Sequence, residues 1–190
     1  VDLRFGTISI RELGRHGVDV EGVLRRSGRM GLYFLATGAG HRPSEVLYDR
    51  ADSAFANTGN THYDWPAALT GAALLHVSGV TPALGQTTAD AAIAAARAAR
   101  SAGAMVSFDG NYRPKLWAAW DGDPQTILRG LIAEADIAFA DHRDIAVVLG
   151  EDNDTTDDPG ARFAAVAARS FASFPNLQRI ATTVRTQHSV

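Results

Sequence analysis

The feature that most constrains the fold is a sequence of three segments: an apolar run, an alanine-rich helix former and a second apolar run. Residues 73–80 read ALLHVSGV, residues 87–103 read TTADAAIAAARAARSAG, and residues 104–109 read AMVSFD. Continuous apolar runs are typical of strands buried on both faces, and alanine and arginine strongly favour helix. Because Gly103 ends the helical pattern, the segment predicts a βαβ unit with parallel strands.

The same alternation continues towards the end of the sequence. Helices are predicted over 124–135, 143–150 and 160–174, and strands over 136–140 and 179–184. Strands that alternate with helices favour a parallel sheet covered on both faces. We therefore predict an α/β fold, a doubly wound parallel sheet with helices on both faces.

The first third of the sequence follows a different pattern. Residues 31–37 and 44–50 are short β-prone runs, and the GAGHRP between them favours a chain reversal. A short helix is predicted before them, from about residue 10, and Gly17 closes it. We expect a small antiparallel β-ribbon over 28–57 and an α/β core formed by 1–27 and 58–190.

Charge and composition exclude several classes of function. The net charge is −3 and the chain has no cysteine. We therefore expect no nucleic-acid partner, no attraction to anionic membranes, no disulfide framework and no thiolate zinc site. The apolar stretches are too short for a membrane span, and a cysteine-free chain fits a reducing, cytoplasmic location.

A polar cluster follows the second strand of the βαβ unit. Asp109, Asn111 and Arg113 lie within five residues of one another in DGNYRPKLW. In open parallel sheets, ligands bind beyond the carboxyl ends of the strands, and arginine binds carboxylate or phosphate with two parallel hydrogen bonds. The alternative interpretation is that Asp109 caps the next helix while Arg113 pairs with a nearby carboxylate.

Four segments, read together, are similar to a known family. SGRMGLYFLATGAGHRPSEVLYDRADSAFA, LLHVSGVTPAL, VSFDGNYRPKLW and RIATTVRTQHSV occur in the order seen in ribokinase-like (PfkB type) sugar kinases, and in particular resemble 2-dehydro-3-deoxygluconate kinases. The resemblance implies transfer of the γ-phosphoryl group of ATP, with Mg²⁺, to the 6-hydroxyl of a six-carbon keto-deoxy-sugar acid. It also implies that the ribbon is a lid over the sugar and joins two copies of the chain in a homo-oligomer.

The resemblance assigns roles to individual positions. Substrate-binding positions in the family match Tyr33, Tyr48, Arg50 and Arg113. Positions on the ATP side match Asn111, Tyr112, Arg113, Thr183, Arg185 and Ser189. Asp141 and Asp144 stand in a family motif near Mg²⁺ where many relatives have asparagine and glutamate, so this sequence departs from the motif there. The two carboxylates would still act on the ion through water, because Mg²⁺ keeps most of its own waters.

Each of these assignments has a purely structural alternative. Tyr33 and Tyr48 would be a cross-strand aromatic pair that stabilises the ribbon, and Arg50 would pair with Asp49 or Asp52 at little energetic gain. Asp141 would cap a helix with Asp144 in its first turn. Thr183, Arg185 and Ser189 would only complete the last strand and its turn.

The family pattern extends beyond this sequence at both ends. The family's catalytic aspartate is expected beyond Val190, and a sugar-binding segment is expected before Val1, so the chain is predicted to be a partial copy of the family fold. Two other functions stay open: another sugar kinase of this fold, such as a fructokinase or ribokinase, and a non-catalytic binding or oligomerisation fragment.

Overall fold

The computed structural model describes residues 3–40, 42–151 and 158–183, with side chains from residue 5 onwards. These residues form two compact units, Val1–His62 and Tyr63–Val190, which are described separately below. The predicted positions Arg185 and Ser189 lie outside the described residues.

The first unit opens with helix α1, Leu3–Arg15, and Gly17 follows it with a φ of 77°. The glycine stop is where the sequence predicts it, but the helix begins well before residue 10. Gly6, Thr7 and Ile8 all have lower helix propensity than alanine, which obscures the first two turns in the sequence.

The predicted antiparallel ribbon is confirmed. Strand β1, Leu32–Ala36, pairs with β2, Glu45–Asp49, and places Tyr33 opposite Tyr48 and Phe34 opposite Leu47. The reversal between the strands needs a glycine at position 38, because a Cβ there would lie 2.2 Å from the carbonyl oxygen of Arg42. After β2, the buried Ser53 accepts a hydrogen bond from the Ala56 N–H (3.2 Å) and ends the ribbon in a tight turn.

The second unit is an α/β layer. Its strands are β3, Leu74–Ser78; β4, Met105–Asp109; β5, Ile137–Phe139; and β6, Arg179–Ala181. Its helices are α2, Trp65–Ala68; α3, Gln86–Ser101; α4, Pro114–Trp117; α5, Pro124–Ile132; α6, His142–Leu149; and α7, Pro159–Ser173. The strands form one parallel sheet in the order β3-β4-β5-β6, flanked by the helices. The predicted fold class, a parallel α/β sheet with a small antiparallel ribbon, is confirmed.

Small residues let helix α3 lie close to the sheet. Ala89, Ala92, Ala96 and Ala99 are buried at helical spacing along one face of α3. In the neighbouring strand β4, Val106 and Phe108 are almost completely buried, as expected for an interior strand. The polar loops at the strand ends therefore stand on a rigid core.

No helix in the described part of the chain is both long and apolar enough to cross a membrane.

Candidate functional site

Three parallel strands of the second unit end at the same level. Asp109 at the end of β4 is in register with Phe139 of β5, which is in register with Ala181 of β6. The loops that follow enclose a cleft of about 930 Å³. Seven residues singled out from the sequence line this cleft: Asp109, Asn111, Tyr112, Arg113, Asp141, Asp144 and Thr183.

The loop after β4 is held in an unusual conformation by Asn111. Its φ is 45°, a left-handed value that asparagine tolerates better than most residues. Its Nδ2 donates to the Ser78 hydroxyl (3.2 Å) and to the Asp109 carboxylate (3.2 Å). Arg113 occupies the N-cap position of α4 and makes no side-chain capping hydrogen bond, so the alternative in which Asp109 caps this helix is wrong.

Two glycines allow the loops to approach closely. The Gly79 N–H donates to the Asp109 carbonyl (2.7 Å), and a Cβ on Gly79 would lie 1.9 Å from the Gly110 carbonyl oxygen. A Cβ on Gly110 would lie 2.8 Å from the Cβ of Asp144. The backbone that leads to Arg113 is therefore fixed by contacts that no larger side chain permits.

The Arg113 side chain is half-buried in the wall of the cleft. Its Nη1 donates to the carbonyl oxygen of the preceding residue, Tyr112, at 3.0 Å. Within residues 3–40, 42–151 and 158–183, no carboxylate forms an ion pair with it. The guanidinium therefore keeps most of its five N–H donors for an anionic ligand.

Asp141 and Asp144 form a capping box at the start of α6. The Asp141 carboxylate accepts from the N–H groups of Arg143 (2.8 Å) and Asp144 (3.0 Å), and it also binds the Arg143 guanidinium. The Asp144 carboxylate accepts from the Asp141 N–H (3.0 Å) and from the Tyr112 N–H (3.0 Å). Asp144 thus joins the loop after β4 to the loop after β5, a connection that the sequence analysis did not predict.

The two carboxyl groups are shifted in opposite directions. Burial raises the pKa of Asp144; two backbone hydrogen bonds oppose this effect, and the nearby Asp141 and Asp109 carboxylates add to it. Burial would also raise the pKa of Asp141, but hydrogen bonds from the Arg143 side chain and from two backbone N–H groups outweigh it and lower that pKa. The ionised form of Asp144 is therefore destabilised in the folded protein, whereas the ionised form of Asp141 is stabilised.

This asymmetry predicts a specific pH dependence of stability. Because the folded pKa of Asp144 is raised, its contribution is fully present below the ordinary carboxyl pKa of about 4 and is lost as pH rises through the raised value. We expect the stability advantage of the wild type over Asp144→Asn to grow as pH falls from 7 towards 4. Urea unfolding at a series of pH values measures this difference.

Asp123 provides a control in which the pH dependence of stability is expected to have the opposite sign. It caps α5 by accepting from the Thr126 N–H (3.1 Å), and hydrogen bonding to Thr126 lowers its pKa. Its contribution is present above the ordinary carboxyl pKa and is lost as pH falls through the lowered value. The advantage of the wild type over Asp123→Asn should therefore shrink in acid, and equal slopes for the two variants would contradict the assigned directions.

The described part of the chain holds no cluster of metal-binding side chains. No group of three or more potential metal-binding side chains lies together there. Both oxygens of Asp144 and both of Asp141 already accept hydrogen bonds. The described residues therefore form no cage of protein ligands for Mg²⁺, which is usually held by one or two carboxylates with waters and phosphates, and the role of Asp141 and Asp144 through water stays a prediction.

The other predicted substrate residues lie together on the ribbon of the first unit. The guanidinium carbon of Arg50 lies 5.7 Å from the centre of the Tyr33 ring and 5.4 Å from that of the Tyr48 ring. Cation–π contacts of this kind orient an arginine without neutralising it. In the part of the chain that the structure describes, neither Asp49 nor Asp52 pairs with Arg50; Asp49 pairs with Arg29. The alternative of a local Arg50 ion pair is therefore not observed.

The family of the chain follows from a comparison with known proteins. The model of the pfkB family carbohydrate kinases matches residues 3–169. This chain belongs to the pfkB family. The match covers both the ribbon and most of the α/β unit that forms the cleft.

Individual pfkB relatives support the same relationship. The chain is 35% identical over 143 residues to a 2-dehydro-3-deoxygalactonokinase of Haloferax volcanii, covering 75% of this chain and 44% of that protein. It is 34% identical over 118 residues to a 2-dehydro-3-deoxygluconokinase of Bacillus subtilis, covering 60% of this chain and 35% of the relative. The crystal structure of a 2-dehydro-3-deoxygluconokinase from Thermotoga maritima superposes with a TM-score of 0.85 at 31% identity, over 97% of this chain and 54% of that one. The chain thus spans about half the length, or less, of the pfkB proteins that it matches.

Two cleft residues of this pfkB chain, Phe139 and Arg143, and one residue next to the cleft, Ser78, were not singled out from the sequence. Ser78 ends β3 beside Asp109 and accepts a hydrogen bond from Asn111. Its position as a polar residue at the end of an apolar strand could have indicated it from the sequence. Phe139 lines the cleft with its side chain 47% exposed, which is unusual for a residue in a central strand. Arg143 also lines it, but its guanidinium is held by Asp141.

Proposed function

We propose that the protein containing this chain transfers the γ-phosphoryl group of ATP to the 6-hydroxyl of a 2-dehydro-3-deoxy sugar acid. The observation that carries the proposal is the presence of two partly buried arginines, Arg50 and Arg113, that form no ion pair within the described residues. A sugar acid and ATP bring anionic groups that match such arginines, whereas a neutral sugar does not require them. Relatives that act on 2-dehydro-3-deoxy sugar acids, as their names say, support this choice.

In the proposed reaction, Arg50 binds the carboxylate of the sugar acid. The faces of Tyr33 and Tyr48 hold the guanidinium in place, which lowers the entropy that binding would otherwise cost. The tyrosine hydroxyls add donors and acceptors for the sugar. The ribbon as a lid over the substrate is part of this proposal.

Arg113 acts on the phosphoryl group and on the substrate. Phosphoryl transfer depends on positioning and on stabilising charge that spreads over the transferring oxygens, so a preorganised guanidinium accelerates it. The cleft beside Arg113 combines apolar walls from Phe139, Ala146 and Val147 with polar loops, which suits a nucleotide. We place ATP here, near Asn111, Tyr112 and Thr183; roles for Arg185 and Ser189 stay predictions.

We assign no general base to the described residues. Mg²⁺, when bound, would neutralise charge on the phosphates of ATP. The residues described above act by binding, orienting and excluding water from the nucleotide and sugar acid. A cytoplasmic location also stays a prediction.

The ribbon is also the proposed contact with a second copy of the chain. Phe34 and Leu47 are directly opposite each other and are 54% and 65% exposed. An exposed apolar pair on a two-stranded ribbon is costly in water, and burial against an identical ribbon would remove that cost. Light scattering of the wild type and of Leu47→Asp tests this contact; a dimer only in the wild type supports it, and equal masses refute it.

The substrate assignment is tested by replacing Arg50. We expect Arg50→Gln to raise the KM for 2-dehydro-3-deoxygluconate roughly 10- to 100-fold, because a hydrogen bond to a charged group contributes about 1.5–3 kcal/mol. The KM for 3-deoxyfructose, which carries a hydroxymethyl group instead of the carboxylate, should change little. Steady-state kinetics with both compounds measures the difference.

Arg42→Gln is the matched control for this experiment. Arg42 lies in the turn of the same ribbon, and its guanidinium donates only to the Thr37 carbonyl (3.0 Å) among the contacts described. We expect its kinetics to match the wild type. An equal rise in KM for the acid and for 3-deoxyfructose in Arg50→Gln would contradict carboxylate recognition by Arg50.

A further inference from the structure

Arg29 reaches from the segment before β1 to the end of β2. Its guanidinium donates to the backbone carbonyl of Asp49 (3.1 Å) and to that of Ala51, and it pairs with the Asp49 carboxylate. The backbone of Arg29 takes part as well, because its carbonyl accepts from the Ala54 N–H at 2.8 Å. These contacts bridge 20 or more residues of sequence.

The Asp49 carbonyl belongs to the peptide group directly before Arg50, and the Ala51 carbonyl belongs to the second peptide group after it. Fixing the peptide groups before and after a residue restricts its φ and ψ, and thereby the direction in which its side chain leaves the backbone. The peptide group directly after Arg50 is held as well, because the N–H of the buried Ser53 donates to the Arg50 carbonyl (3.4 Å). The backbone at Arg50 is therefore held by Arg29 on one side and by the Ser53 turn on the other.

Arg29 also changes the charge next to Arg50. Asp49 is the carboxylate adjacent to Arg50 in sequence, and Arg29 pairs with it. An uncompensated carboxylate at this point would repel an anionic substrate, whereas a paired one does so much less. The same contact therefore orients Arg50 and reduces the negative charge around it.

We propose that Arg29 is a positioning residue that holds Arg50 in place for the carboxylate of the substrate. This inference rests on the proposed function, because it takes Arg50 to bind a sugar-acid carboxylate. Arg29 itself is not assigned a contact with substrate. Its effect should appear in the KM for the acid and not in the KM for ATP.

Three variants, made in the full-length protein, separate this role from a general structural one. Arg29→Gln loses the ion pair and most of the paired contacts of the planar guanidinium. We expect its KM for 2-dehydro-3-deoxygluconate to rise about tenfold, while kcat and the KM for ATP stay within about twofold of the wild type. Arg29→Lys keeps the charge but not the planar fork, so its KM should rise about threefold. Asp49→Asn keeps both carbonyl contacts of Arg29, so its KM should stay within about twofold of the wild type.

The outcomes distinguish this inference from the proposed function. If Arg50→Gln raises the KM for the acid and Arg29→Gln does not, the positioning role is overturned while substrate recognition by Arg50 stands. If Arg50→Gln leaves that KM unchanged, both are overturned. A parallel rise in the KM for ATP in Arg29→Gln, or a tenfold rise in Asp49→Asn, also overturns the positioning role, and a poorly folded Arg29→Gln leaves Arg29→Lys to decide it.

Discussion

Replacing Arg113 by alanine is expected to reduce kcat/KM for phosphoryl transfer by about 1,000-fold, the lower end of the effect of a charge-stabilising arginine in this chemistry. Arg113 is half-buried in the cleft and has no carboxylate partner within the described residues, so under the proposed function its charge would be available to the reacting groups. The backbone that carries it is fixed by Asn111 and by the contact of Tyr112 with Asp144. Steady-state kinetics with ATP and a sugar acid, and calorimetric titration of each ligand, measure the loss.

Arg143→Ala is the matched control in the same cleft. The Arg143 guanidinium is already bound by Asp141, so it has little left to offer a ligand. We expect its loss of kcat/KM to stay below about tenfold, in line with the small contribution of an exposed ion pair. If the two arginines prove equally important, or if Arg113→Ala stays within tenfold of the wild type, the role assigned to Arg113 is wrong.

The second large effect is expected from Gly79→Ala. The new Cβ would overlap the Gly110 carbonyl oxygen, which is backbone and cannot rotate away. The strand ends must move apart, and overpacking of this kind costs about 3 kcal/mol. For a chain of this size that corresponds to a fall in Tm of roughly 6–12 °C.

Gly130→Ala makes the same chemical change where space allows it. Gly130 lies in α5, and a Cβ there would meet only Ile93 Cδ1 at 3.6 Å, an ordinary contact distance. Alanine in a helix interior is favoured over glycine by about 0.5–1 kcal/mol, so this variant should be more stable than the wild type. Calorimetric melting of both variants checks the opposite signs, and a Gly79→Ala protein that melts like the wild type would contradict the close approach of the two loops.

The elements that the sequence predicts best are those whose signals are local. Strands β3 and β4 are continuous apolar runs, and α3 is rich in alanine and ends near Gly103, so their positions follow from residue type and are confirmed to within a few residues. Helix α1 shows the limit of this approach. Its first two turns contain glycine and β-branched residues, and local propensity therefore does not reveal them.

The candidate site likewise contains residues that local sequence signals predict and contacts that they do not. Asn111 and Arg113 are adjacent to the end of an apolar strand, and parallel topology alone places them at the carboxyl edge of the sheet, where open parallel sheets in general bind ligands. The bond from Tyr112 to Asp144, in contrast, depends on the register of β4 and β5 and on the close approach that Gly110 permits. Likewise, no pattern near Arg29 indicates that it reaches Asp49 and Ala51, because that contact is set by how the ribbon folds back.

The most direct test of this account is phosphoryl transfer by the protein as its gene encodes it, with ATP and each of two acceptors. The acceptors are 2-dehydro-3-deoxygluconate and 3-deoxyfructose, which differ in the carboxylate, and ADP release with mass analysis of the product measures the reaction. The account predicts a 6-phosphate of the acid, with kcat/KM about 100-fold or more above that for the neutral sugar. Equal rates with both acceptors, or no phosphorylation of the acid or of its galacto epimer, would contradict it.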